Sequence, residues 1–150
     1  MPATLVLGQA FETLGQAGEA EQAYRRLLAE FPNCVPALKR LAILNAEQLG
    51  NDEVALQLGQ KVRENLRDDP ELNRVLGLAA YRHADYAVAA QLLGEALLVG
   101  PEDAEGLYYL GLAQLKAGDM DKGRQTLIRA MALAPDHLLS TQAQEALEKL

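Results

Sequence analysis

The sequence has no tryptophan, one cysteine, two histidines and two phenylalanines. A single thiol excludes an intrachain disulfide, and two histidines add too few ligands for a zinc site. Aromatic residues make up only 5% of a chain that is 49% hydrophobic. The apolar content is mostly alanine and leucine, which favours close-packed helices over a pleated sheet. Positive charge is also scarce. Against 21 Asp and Glu there are 14 Lys and Arg, a net charge of -7, which opposes a phosphate-binding surface and argues against nucleic acid as a partner. No apolar run approaches the ~20 residues of a membrane span. Met1-Pro2 begins without the basic stretch and hydrophobic core of a signal peptide. Taken as the native start, residue 1 implies the cytoplasm; taken as a cut from an exported protein, it leaves the periplasm open.

What the chain does have is a clock. Leu7-Gly8 recurs as Leu41-Ala42, Leu76-Gly77 and Leu110-Gly111, at intervals of 34, 35 and 34 residues. Ala20 recurs as Ala55, Ala89 and Gly123 at 35, 34 and 34, which places a one-residue insertion near Leu49-Gly50. Pro32, Pro101 and Pro135 close the first, third and fourth units, whereas the second has Arg67 there and Pro70 three residues later. Inside the first unit, Leu7, Ala10, Phe11 and Leu14 follow helical spacing. Gly15 to Gly18 breaks it, and Ala20, Ala23, Tyr24, Leu27 and Leu28 resume it. Each unit is thus a helix, a tight turn and a second helix, with Gly8, Gly77 and Gly111 expected to face Ala20, Ala89 and Gly123 at a close approach.

Leu-Gly, aromatic, Ala and Pro at this period resemble the tetratricopeptide repeat. Residues 1–34, 70–103 and 104–137 fit well. Residues 35–69 fit less well, because Asn45 and Gly59 replace bulky residues and the closing proline is missing. The second hairpin is expected to be longer or displaced, running to Asp68-Asp69, which would cap a helix opened by Pro70. Residues 138–150 are too short for a further unit. Leu139, Ala143, Ala146 and Leu150 share one face, as a helix covering the end of the stack requires. The first helix has no such polar cap, so its face should pair with a second copy, giving a homodimer, or continue into further repeats of a longer scaffold. The resemblance implies an all-α, right-handed superhelix of four hairpins plus a capping helix, occupying 1–150 as one domain. The composition and compact turns point to a bacterial source.

Catalysis finds little support. Gly106 and Gly111 have phosphate-loop spacing, but Leu112-Ala113 follows where Lys and Ser or Thr are needed. Cys34 sits at a repeat junction with no histidine nearby in sequence. His83 and Asp85 flank a turn and are too few for a metal site. His137 is expected to cap the last helix. No cofactor is implied.

The resemblance implies a protein or peptide partner held in a concave groove lined by the first helices. Positions not needed for hairpin packing are Leu5, Gln9 and Glu12 in the first unit, and Lys39, Ile43 and Ala46 in the second. The third contributes Arg74, Leu78, Tyr81 and Arg82, and the fourth Tyr108, Leu112, Leu115 and Lys116. These predict aliphatic and tyrosine anchors with a cationic lip from Lys39, Arg74, Arg82 and Lys116. The chaperone-tail clamp of some family members is disfavoured, since Gln9, Ile43, Leu78 and Leu112 stand where its asparagine is expected.

Overall fold

The computed structural model of the protein describes residues 1–150. All regular structure is helical: α1 (Ala3–Thr13), α2 (Ala17–Glu30), α3 (Val35–Glu47), α4 (Asp52–Arg63), α5 (Pro70–Arg82), α6 (Tyr86–Val99), α7 (Ala104–Lys116), α8 (Met120–Leu133) and α9 (Ser140–Glu148). They form two compact units, Met1–Arg67 and Asp68–Leu150. In the first, α1 packs on α2, α2 on α3 and α3 on α4. In the second, α5 packs on α6, α6 on α7 and α7 on α8, while α9 lies against both α7 and α8.

The turn chemistry follows the sequence. First helices end at a residue with left-handed backbone: Gly15 (φ 73°), Gly50 (φ 65°) and Gly118 (φ 95°). Glycine adopts this conformation without a Cβ clash. The third turn places Ala84 there, at φ 62°. The inserted residue lies where expected, for Gln48–Asn51 separates α3 from α4 while the other hairpins turn over three residues. The second hairpin is not longer. Helix α4 stops at Arg63, and the extra length forms the connection 64–69. There the Asp69 side chain accepts a 2.9 Å hydrogen bond from the Leu72 N–H, so the predicted cap ahead of Pro70 is present.

The close approach of the paired helices is shifted by one turn from the expected register. A Cβ on Gly77 would stand 2.7 Å from Leu93, and one on Gly111 2.6 Å from Leu127. The same position in the first hairpin, Gly8, lies against the Tyr24 ring. The glycines therefore accommodate a bulky second-helix residue, not the small Ala20, Ala89 and Gly123.

Around these contacts the core of the first unit gathers Leu5, Ala20, Tyr24, Leu27, Ala37, Leu41 and Leu44. That of the second gathers Leu107, Tyr108, Leu112, Leu127, Ala130 and Ala143. Each large side chain buried here contributes about 1.5–3 kcal/mol. Leu139, Ala146 and Leu147 pack against the second core as well, so α9 covers the α7–α8 hairpin as its apolar face predicts. Leu150, past the helix end, stays exposed.

Candidate protein-interaction site

The expected groove residues divide into three groups. Leu5, Ile43, Ala46, Tyr108 and Leu112 are buried and present no surface, which corrects their reading as ligand anchors. Leu5 belongs to the first core. Tyr108 and Leu112 lie in the cluster that α9 completes through Ala143, Ala146 and Leu147. The Tyr108 hydroxyl donates 2.6 Å to the Ala134 carbonyl and its ring stacks on His137, 4.9 Å away. Burial raises its pKa. His137 meanwhile accepts from the Leu139 N–H at 3.1 Å, in the turn leading to α9.

A second group is half-buried and held by partners inside its own unit. Glu12, from α1, accepts hydrogen bonds from the Tyr24 hydroxyl and the Arg40 guanidinium, tying α1, α2 and α3 together. Burial and the adjacent carboxylate push the Tyr24 hydroxyl well above its ordinary pKa, and the bond to Glu12 raises that of Arg40. Arg74, expected to select acidic ligands, is paired with Asp103 and with Glu105, at 3.1 Å for the latter. Burial alone would raise the Asp103 carboxyl, but the Arg74 guanidinium outweighs it and holds the pKa below the usual value. This pair borders a cavity of about 470 Å³ whose other walls include Pro70, Leu93, Leu97 and Pro101. Leu115 packs inward against Gly123 of its own hairpin, and Lys39 is half-buried.

The third group keeps some surface: Gln9, exposed and alone among the first-unit positions, and in the second unit the half-buried Leu78 and Tyr81, the latter packed against the core, with the exposed Arg82 and Lys116. The last four lie on α5 and α7, which touch directly. Tyr81 is the centre of an aromatic cluster that sequence reasoning only half found. Its ring meets Tyr109 edge-on at 5.0 Å and Tyr86 at 5.4 Å. The Lys116 ammonium lies over both Tyr81 (5.2 Å) and Tyr86 (4.8 Å) and donates to the Tyr86 hydroxyl at 3.4 Å. Such contacts contribute about 0.5–1 kcal/mol each at exposed sites. The Tyr81 hydroxyl itself is buried beside the Lys116 ammonium; burial alone would lower the Lys116 pKa, but the Tyr81 and Tyr86 hydroxyls outweigh it and raise it.

Tyr109 carried a signal in the repeat. Tyr81 and Tyr109 are 28 residues apart, as are Glu12 and Arg40. Neighbouring repeats therefore bring the same two positions together in each unit.

No three His, Cys, Asp or Glu side chains gather as a metal site would need. Cys34 is half-buried at the start of α3, while His83 and Asp85 are exposed on either side of Ala84. No helix is long and apolar enough to cross a membrane.

Hairpins of helices in this register, with a glycine or alanine at the close approach and a terminal cap, define a helical-repeat protein. Two family profiles described as tetratricopeptide repeat match residues 74–137 and 2–44. The chain belongs to the tetratricopeptide-repeat family. Residues 45–73, outside both profiles, contain the irregular end of the second repeat. The chain is 30% identical over 132 residues to the protein CTR9 homolog of Arabidopsis thaliana, covering 85% of this chain and 12% of the relative. It is 35% identical over 120 residues to the cellulose synthase 1 operon protein C of Komagataeibacter xylinus, covering 79% and 9%. It thus spans about a tenth of the length of these curated relatives. Among solved structures, MamA from Desulfovibrio magneticus has a TM-score of 0.80 at 21% identity, over 99% of this chain and 94% of that one. YrrB, described as a tetratricopeptide-repeat protein with an unusual peptide-binding site, has a TM-score of 0.78 at 19% identity, over 92% and 71%. At these identities the likeness is one of fold.

Proposed function

We propose that the chain is a non-catalytic protein-interaction module and that the surface of α5 and α7, with Tyr86 at the start of α6, binds a peptide or helix of a partner protein. The observation that carries this reading is the Tyr81–Tyr86–Tyr109 cluster with Lys116 over it. Tyrosines offer large, rigid contact area at low entropic cost and dominate interface energetics, and a fixed cation beside them selects for acidic groups. Leu78 supplies an aliphatic contact one helical turn away. The description of YrrB as peptide-binding supports the same class of partner.

Selection of a displayed peptide library on the intact chain tests this. Enriched peptides should carry an acidic residue beside an aliphatic or aromatic one, and Tyr109→Ala or Lys116→Glu should weaken them at least tenfold. Arg25→Glu, on the outer face of α2, should leave them unchanged. Peptides that bind both patch variants as tightly as the parent chain would contradict the proposal.

A further inference from the structure

We infer that the cavity between α5, α6 and the start of α7 is a binding site for a small organic cation with an apolar body of one or two rings. The cavity measures about 470 Å³; its apolar walls are Pro70, Leu93, Ala96, Leu97, Gly100 and Pro101, and Glu71, Arg74 and Asp103 border it. That volume falls within the roughly 300–1,000 Å³ of small-molecule sites and is about three times that of a cavity that holds benzene. The three helices touch pairwise, so the fold itself holds the space open.

The repeat shows why the space exists here. Leu7 and Leu76 are equivalent and 69 residues apart, and the same step carries Tyr24, Leu27 and Phe31 onto Leu93, Ala96 and Gly100. Each of these wall residues is smaller than its first-unit equivalent, and Tyr24 and Leu27 belong to the core of that unit. A step of 34 residues carries Arg74 onto Tyr108 and Gly100 onto Ala134. There the Tyr108 hydroxyl donates to the Ala134 carbonyl and its ring stacks on His137. The third hairpin keeps the backbone and omits the filling side chains.

Charge decides the ligand. Three helix ends meet at the cavity. The N-terminus of α5 is capped by Asp69, which accepts from the Leu72 N–H, and that of α7 faces the Asp103 carboxylate packed against Gly106. An anion would therefore meet a carboxylate at each positive helix end. The third end is the C-terminus of α6, whose last turn has no basic residue, so its carbonyls present the negative end of the helix dipole. At the rim Glu71, Asp103 and Glu105 outnumber Arg74, which is paired with the latter two. Glu102 beside them is balanced by Arg129. An ammonium at this rim, with its rings against the apolar wall, answers both features. The inference is independent of the aromatic patch.

NMR titration of the intact chain with naphthylmethylammonium, and with naphthylacetate as an anion of similar shape, tests it. The amine should shift the amides of Leu93, Ala96, Leu97 and Gly100 and bind at least about tenfold more tightly than the carboxylate. Ala96→Leu, which restores the first-unit residue, should weaken the amine at least about tenfold while the helix signal stays that of the parent chain. Glu71 is exposed, so Glu71→Lys tests the charge without touching the packing and should weaken the amine about threefold. Equal binding of the two probes, an amine bound as tightly by Ala96→Leu and Glu71→Lys as by the parent, or shifts centred on Tyr81 and Tyr109 would overturn the inference. So would the absence of a saturable shift at millimolar amine.

Discussion

The two units bring the same pair of repeat positions together and do opposite things with it. In the first unit the pair is Glu12 and Arg40, with Glu12 accepting from both the Arg40 guanidinium and the Tyr24 hydroxyl inside the unit. In the second it is Tyr81 and Tyr109, joined by Tyr86 under an exposed ammonium. The backbone geometry is common, so the difference lies in side-chain chemistry. One site is a structural lock between helices; the other has the makings of a recognition surface. Repeat proteins can assign either role to one position because each hairpin depends chiefly on its neighbours.

The comparison breaks most visibly at Glu12. Glu12→Ala leaves the Arg40 charge and the Tyr24 hydroxyl without their shared acceptor and should destabilise the chain by about 3 kcal/mol in urea unfolding. Glu12→Leu combined with Arg40→Met should recover most of that loss, because apolar packing replaces a desolvated pair. At the matching position of the second unit, Tyr81→Phe should behave differently. It keeps the ring packing and removes only a hydroxyl beside the exposed Lys116 ammonium, so stability in the same urea unfolding should change by less than about 1 kcal/mol. A loss as large as that of Glu12→Ala would mean that this site too is a structural lock.

The turns sharpen the contrast on a smaller scale. Ala84→Gly should stabilise the third hairpin by roughly 0.5–1 kcal/mol, and Gly118→Ala should destabilise the fourth by a similar amount, both read from thermal unfolding. The smallest effect concerns Asp103, whose pKa is lowered on folding beside Arg74. A depressed carboxylate contributes stability above its unfolded pKa of about 4 and loses it as pH falls through the folded value. The second unit should therefore lose a few tenths of a kcal/mol below about pH 4. Arg74→Gln should abolish that pH dependence.

The fold was legible because its determinants are local and repeated. Leu41, Leu76 and Leu110 mark the core at a fixed period, Gly15, Gly50 and Gly118 mark the turns, and Leu139 with Ala143 marks the cap. The site was less legible because accessibility depends on what covers a helix, which a repeat period does not reveal. Tyr108 and Leu112 occupy groove positions by register, but α9 and the turn before it cover them. Arg74 occupies a selector position by register, but Asp103, the residue before α7, pairs with it. Tyr109 stands beside Tyr108 on a helix that is apolar on nearly every side, so only the repeat equivalence to Arg40, and not local periodicity, separates the two.

The central claim is that recognition belongs to the open aromatic site of the second unit and not to its closed counterpart in the first. Backbone amide shifts of the intact chain, recorded by NMR while a selected peptide is titrated in, test it most directly. The largest changes should fall on Tyr81, Tyr86, Tyr109 and Lys116, with Glu12, Tyr24 and Arg40 unmoved. Changes centred on those three residues would contradict the account.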